Sequence, residues 1–475
     1  MRCMGRRPRL AAVCAAVVVV IGFVGAEAIV LGARIRDYDE GVYWQSFRAL
    51  ARGETLFHSI FAPTPPAFYY TLLPFYWAVH SLAGLRTGVL VFGLIGLGAT
   101  YVAGRLLAGE PGGLLALILA ATSPLYLHQS AILQADGPAV AMSVVAVVLA
   151  LLAVRSEGRL RDVLGVCVGL ALAVSVGIKL LGVLTAVPIV IVLLGATRGR
   201  VRLFLLTIIG GLLASAVLLL PVLASPTAAF EDLVLSHFRA GQAVTGGIRA
   251  NLHLVLLRRE EPLEALAVLG AVIALVRRDG RVIAPLAWAA VSLVAVLLYE
   301  PLFPHHLVML TPPLALVAAI GLAPIVTLLA RAKAARVRAR AIITLGLVLA
   351  TAAAGAFIVA RDTRAVLAVD YHNAEMTAAV HAISRPGEFW ISDNPYAVAA
   401  ADRDVPGLLV DTSGQRTAAR LLTVGDLEAA RVRYDVRWVL VDSFRLDGVP
   451  GFRGWLYAHF RVVQNLGGRA VIYGG

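Results

Sequence analysis

Apolar residues in this chain fall into long blocks divided by short polar segments. Typical blocks run over 10–31, 88–107 and 282–299, each near the roughly 20 residues that a helix needs to cross a bilayer core. The polar segments alternate in character. Basic residues gather at the N-terminus (Arg2, Arg6, Arg7, Arg9), at Arg155/Arg159/Arg161, at Arg198/Arg200/Arg202, at Arg277/Arg278/Arg281, and over Arg331–Arg340. Acidic residues fall in the gaps between, at Asp37/Asp39/Glu40, Asp136, Glu231/Asp232, Glu260/Glu261/Glu264 and Glu300.

Positive charge is retained on the cytoplasmic side, so the basic clusters set an orientation. One alternating trace satisfies all of them. Its crossings are 10–32, 88–107, 113–131 and 138–154, then a pair meeting near Lys179, then 203–224. Three more are separated by the 277–281 cluster, the 300–306 segment and the 331–340 cluster, and a last one spans 341–360. The pattern predicts about eleven transmembrane helices, a cytoplasmic N-terminus, a tight inner turn at 108–112, and an external loop over 33–87. The stretch 67–84 is apolar enough to cross, but counting it would put the 155–161 cluster outside. Its five aromatics, Pro74 and His80 fit an interfacial or re-entrant helix. The N-terminus also resembles a signal peptide, with Ala26-Glu27-Ala28 after the apolar run. The run continues through Leu31, however, which predicts an uncleaved first span.

Composition agrees. Of 475 residues, 59% are hydrophobic and 15% charged, and the mean hydropathy is +0.83; soluble domains are nearer a quarter charged. The net charge of +13 would suggest nucleic acid in a soluble protein, but here it is spent on loops that anchor topology. Cys3, Cys14 and Cys167 show no disulfide framework or metal spacing.

From about residue 363 the pattern changes. Segments 374–384 and 424–434 read as helices, 388–393, 407–412 and 437–443 as strands, and 461–474 as a hairpin turning at Gly467-Gly468. The fold class is therefore an α-helical polytopic membrane protein (1–362) with a small α/β soluble domain (363–475) outside the membrane. Within that domain Asp404, Asp411 and Asp442 read as strand-end or turn residues.

Ionisable groups at or inside a membrane are costly and are candidates for function. Two external carboxylate sites qualify: Asp39-Glu40, just past the first span, and Asp136, at the mouth between two later ones. Each also has a plain structural reading, as a helix cap for Asp39 and a turn for Asp136-Gly137-Pro138.

Several short motifs, in this order, resemble those of GT-C membrane glycosyltransferases. Asp39-Glu40-Gly41-x-Tyr43, Gly53 and Pro65-Pro66-x-Phe68-Tyr69-Tyr70 resemble their first external loop. Ser123-Pro124 followed by Asp136, Ile178-Lys179-Leu180-Leu181-Gly182, and Phe303-Pro304-His305-His306 with Pro312-Pro313-Leu314 resemble later ones. The branch they resemble most contains the protein O-mannosyltransferases and the lipid A aminoarabinose transferases. That resemblance implies a GT-C-like fold and a polyprenyl-phosphate sugar as donor. The acceptor would be a lipid, glycan or protein on the external face, and transfer would be inverting.

It further implies Asp39 as general base, with Asp136 orienting the acceptor or stabilising the oxocarbenium-like sugar and Glu40 as a further catalytic carboxylate. Lys179, His305 and His306 would meet the leaving phosphate, with Tyr43, Arg52 and Tyr69 among the binding residues and Arg48 behind them. Two departures stand out. Thr64 replaces the lysine that precedes Pro-Pro in the family, and Gln134-Ala135-Asp136 lacks paired acids, which weakens the case for a divalent metal. No cofactor is expected. Two other functions fit the composition: a transporter or lipid-linked sugar flippase, for which internal repeats would be expected, and an inactive glycan-binding homologue.

Overall fold

A computed structural model of the chain describes residues 6–243, 246–256, 261–331 and 370–475 apart from 469, with a few positions between 346 and 368. Among these residues seven helices are long and apolar enough to cross a membrane. One of them, Leu82–Ala121, is two crossings in one. It leaves helical geometry at Ala108 and at Gly109, where φ is 73°, and folds back so that Gly104 abuts the Gly112 carbonyl and Gly113 abuts Tyr101. The inner turn predicted at 108–112 is this reversal. Two shorter apolar helices, Leu180–Leu194 and Pro262–Val276, occupy the positions of the sixth and eighth predicted crossings. The eleventh, 341–360, lies largely outside the described residues.

The turns around 106, 155–162 and 198–202 adjoin one another. Arg155 donates to the Leu106 carbonyl at 2.9 Å, Arg161 reaches the Arg198 carbonyl, and Arg202 pairs with Asp162 at 2.6 Å. Small residues let helices approach closely, as is usual where lipid supplies no hydrophobic drive. A Cβ on Gly169 would fall 1.9 Å from the Thr207 carbonyl oxygen, and one on Gly210 would fall 2.0 Å from that of Val166. The helices Gly158–Ile178 and Arg200–Leu218 therefore touch backbone to backbone.

The disputed apolar segment does not form a span. It is a 14-residue helix, Pro66–Val79, about 21 Å long at 1.5 Å per residue, and His80 ends it in a left-handed conformation. Proline opens it at the first helical position, where no N–H is missed. With the Tyr38–Ala51 helix it builds an aromatic floor, in which Phe47, Phe68 and Tyr69 are fully buried.

The C-terminal domain carries a four-stranded sheet: β1 (Trp390–Ser392), β2 (Trp438–Val441), β3 (Arg461–Asn465) and β4 (Val471–Gly474). Its order is β1-β2-β4-β3, with β1 and β2 parallel and the other pairs antiparallel. Helices Tyr371–Ile383 and Val424–Arg433 accompany it, the second started by a capping box between Thr423 and Asp426. The strand expected over 407–412 does not form. Gly407–Leu409 is instead a 3₁₀ turn, packed against the first loop, where a Cβ on Gly407 would fall 2.2 Å from the Ser59 carbonyl oxygen and the Gly407 carbonyl accepts from the Phe61 N–H at 3.1 Å.

That contact belongs to a larger seam between the first loop and this domain. Gln45 donates to the Arg403 carbonyl at 3.1 Å and accepts from the Val405 N–H at 3.2 Å. Arg48 pairs with Asp402 and Asp404 at 2.9 and 2.7 Å, and Arg52 with Asp404 at 2.6 Å. Gly41 sits against the Tyr396 backbone, where a Cβ would come within 2.6 Å of its nitrogen.

Gly210→Leu should force the two touching helices apart and cost about 1–3 kcal/mol of overpacking strain. A melting curve in detergent reads this directly, and an unchanged Tm would contradict the described contact.

Candidate active site

The Tyr38–Ala51 helix begins with Asp37, whose side chain accepts from the Asp39 N–H at 3.0 Å. Asp37 thus takes the capping role that had been one reading of Asp39. The Asp39 carboxylate has no hydrogen bond or ion pair among the described residues. It faces a cavity of about 590 Å³, within the range of roughly 300–1,000 Å³ typical of small-ligand sites. Burial, followed by the negative charges of Asp37 and Asp411, pushes its pKa up to about 8.

Across the cavity stands Lys179, in the extended break between the Gly158–Ile178 helix and the 3₁₀ turn that follows. Its ammonium pairs with Asp136 at 3.0 Å. Asp136 is 4% exposed and opens the helix Asp136–Ala153, where the helix N-terminus also favours its charge. His305 and His306 complete this side. The Gln134 amide contacts His305 Nδ1 at 3.2 Å, and the Phe303 N–H donates to His306 Nδ1 at 3.2 Å. Tyr43 lines the cavity beside Thr64, with 2.9 Å between their hydroxyls. The residue that replaces the family's lysine therefore serves to hold a tyrosine.

Three of the residues expected in the site lie elsewhere. Glu40 is fully buried and engaged by Arg86, at 2.8 Å from Nε and 2.6 Å from Nη2. Backbone N–H groups of Arg36 and Leu133 also donate to it, at 2.9 and 3.0 Å. With both oxygens occupied it is a structural anchor. Arg52 belongs to the seam with Asp404 and is not among the cavity-lining residues. Tyr69 packs behind Tyr43, ring centres 6.2 Å apart, fully buried and off the cavity surface.

The cavity also has a wall that the sequence did not suggest. Asp411, Ser413, Gly414, Gln415, Arg416, Leu421 and Arg445 of the C-terminal domain line it, with Ser236 and His237 from the loop after residue 224. Burial lowers the His237 pKa to about 4. Asp411 had read as a turn residue, and no local pattern marks Arg416 or Arg445.

Asp136, His305 and His306 each bring one potential ligand atom within 4.8 Å of the others. Each already has a protein partner, in Lys179, Gln134 and the Phe303 N–H respectively. The set holds a single carboxylate, engaged through one oxygen by the Lys179 ammonium at 3.0 Å, where a hard divalent cation takes several oxygen ligands.

The fold has counterparts among known proteins. Residues 64–224 match the sequence model of the dolichyl-phosphate-mannose-protein mannosyltransferase family. ArnT from Cupriavidus metallidurans superposes with a TM-score of 0.71 at 16% identity, covering 98% of both chains. Its structure with undecaprenyl phosphate gives 0.71 at 15% identity, covering 99% of this chain and 98% of that one. The chain has the GT-C glycosyltransferase fold. A further GT-C likeness is the oligosaccharyltransferase AglB from Archaeoglobus fulgidus, in complex with an inhibitory peptide and a dolichol-phosphate. There the TM-score is 0.61 at 12% identity, over 92% of this chain and 70% of that one. No curated protein matches in a sequence search. The fold that the loop motifs led us to expect, a GT-C-like membrane bundle with a small C-terminal domain, is borne out.

Arg86→Met would leave the Glu40 carboxylate buried without its guanidinium, at a cost of about 3–5 kcal/mol. Adding Glu40→Gln should recover part of that loss. Thermal unfolding of the single and double variants checks this; native-like melting of Arg86→Met would mean that the pair is dispensable.

Proposed function

We propose that this GT-C protein transfers a sugar from a polyprenyl-phosphate donor to an acceptor hydroxyl, with inversion, on the extracytoplasmic face. The observation that carries this reading is an unpaired, half-buried carboxylate, Asp39, sharing one cavity with the cation Lys179. Such a pair supplies the two things the reaction needs, a proton acceptor and a counter-charge for the departing phosphate.

Asp39 accepts the hydroxyl proton as the acceptor oxygen attacks the anomeric carbon. The bond from that carbon to the phosphate oxygen breaks, and its electron pair leaves with the phosphate. A positioned base contributes roughly 10²–10⁴-fold, and a base is most effective when its pKa lies near the working pH, as burial arranges for Asp39. Lys179, with His305 beside it, stabilises the phosphate charge as it develops. Asp136, 3.0 Å from the Lys179 ammonium, holds that cation in place. The neighbouring Pro66–Val79 helix, with Tyr70 and Trp77 exposed, offers an apolar edge for the prenyl tail. The donor class accords with the bound undecaprenyl phosphate of the ArnT structure and the dolichol-phosphate of the AglB complex. The external location rests on the positive-inside assignment of the basic turns, which also places the N-terminus in the cytoplasm and the C-terminal domain outside.

In vesicles supplied with a prenyl-phosphate sugar, Asp39→Asn should slow transfer by roughly 10²–10⁴-fold, and Asp136→Asn should weaken it by loosening Lys179. Consumption of donor should require no ion gradient, which separates transfer from transport. Near-native transfer by both variants would sink the assignment.

A further inference from the structure

Arg416 is a buried cation that makes no ion pair among the described residues. It is 7% exposed, its guanidinium lies 3.7 Å over the Phe61 ring, and it lines the cavity that holds Asp39. Its Nη1 donates to the carbonyls of Leu408 and Asp411, both at 2.7 Å. Its Nε is enclosed and has no hydrogen-bond partner. No carboxylate lies within ion-pair distance of it among the described residues. The nearby Asp411 carboxylate accepts from the Ser413 N–H at 2.7 Å, and Asp232 from the Ala62 N–H at 2.8 Å.

A charge removed from water is ordinarily paired or fully hydrogen-bonded. Arg416 is neither along one edge, and that edge is the Nε–Nη2 pair that grips two oxygens of an oxyanion at once. Arg445 repeats the pattern on the same wall. Its guanidinium is 4.0 Å over the Tyr38 ring, and its Nη1 donates to the Ser443 hydroxyl at 3.2 Å and the Asp393 carbonyl at 3.5 Å. It too makes no ion pair among the described residues. Two guanidiniums thus line one cavity over aromatic rings, and the Nε and Nη2 atoms of each make no hydrogen bond among the described residues.

We propose that Arg416 and Arg445 form an oxyanion subsite through which the C-terminal domain holds a phosphate-type group of the acceptor during transfer. This rests on the cavity being the transfer site. The shared chemistry, a phosphate oxyanion, is also present in the donor. The donor phosphate, however, is tethered to the bilayer by its prenyl tail, and Lys179 faces it from the transmembrane bundle. The two arginines come from the domain that follows the last span. An acceptor seated by its anion on that wall would present a hydroxyl to Asp39, which lines the same cavity.

The test is calorimetric titration of the full chain in detergent, with inorganic phosphate and separately with undecaprenyl phosphate. The proteins are the native chain, Arg416→Gln, Arg445→Gln, and Arg437→Gln as a control in an exposed pair with Asp435. Arg416 also braces two carbonyls and its loss can disturb folding. Arg445 carries less of that burden and is the decisive variant, with circular dichroism verifying its fold.

The expected result is that both cavity variants bind inorganic phosphate about tenfold or more weakly, as loss of a charge-assisted hydrogen bond implies. Undecaprenyl phosphate binding and the control should stay native. Parallel loss of undecaprenyl phosphate binding would assign the two guanidiniums to the donor and overturn the acceptor subsite. Absence of phosphate binding by the native chain, or equal binding by folded Arg445→Gln, would overturn the subsite altogether. Persistent phosphate binding in a chain that transfers no sugar would count against the transfer reading alone.

Discussion

The buried pair between Glu40 and Arg86 is the contact on which the geometry of the cavity depends. Arg86, 1% exposed, caps the end of the first span by donating to the carbonyls of Leu31, Ala33 and Arg34 at 3.1, 2.7 and 3.1 Å. Glu40 takes the rest of its guanidinium and the N–H of Leu133. One pair thus joins the first span, the first loop, the second span and the loop that leads to Asp136. Asp39 immediately precedes Glu40, and Asp136 lies three residues after Leu133. Asp39 and the carboxylate that pairs with Lys179 are therefore hung from the same buried charge. The interaction is costly to break, because removing one partner strands the other in low dielectric. A pair this enclosed buys fixed register more than stability.

The second constraint is the seam between the first loop and the C-terminal domain. Gln45, Arg48 and Arg52 engage backbone and carboxylates around 402–405, while Tyr38 accepts from the Thr412 N–H at 2.9 Å. The Tyr38–Ala51 helix is thereby gripped from both sides, by the bundle through Glu40 and by the domain through this seam. Residues that frame the cavity from above, from Asp411 to Arg416, are positioned by the same contacts. The domain is then a wall of the site and not an appendage to it.

Much of this was legible in the sequence because it is local. Span lengths, the reversal at 108–112, the hairpin at Gly467-Gly468 and the exclusion of 67–84 as a crossing follow from apolar block length, charge placement and turn chemistry. The loop motifs also brought Asp39, Asp136, Lys179 and His305 to one place. What was misread depended on distant partners. Glu40 and Asp39 are adjacent and chemically alike, and only Arg86, 46 residues on, decides that one is anchor and the other free. Arg52 was drawn off by Asp404, more than 350 residues away in the chain. The segment 407–412 has strand-like residues, yet its backbone pairs with Phe61. Arg416 and Arg445 carry no local signature because their neighbours across the cavity come from the first loop.

Chemically, the cavity places a carboxylate of raised pKa opposite an ammonium held by a second carboxylate, and closes one side with two guanidiniums that make no ion pair among the described residues. A base acts only when unprotonated, so a pKa pushed up to about 8 makes transfer fall as the pH drops below that value. The most direct measurement is the pH dependence of single-turnover sugar transfer by the purified chain and by Asp39→Asn. The native rate should rise with pH to a plateau above about 8, and the variant should be slow and flat across the same range. A variant that keeps the native rate and the native pH limb would contradict Asp39 as the base.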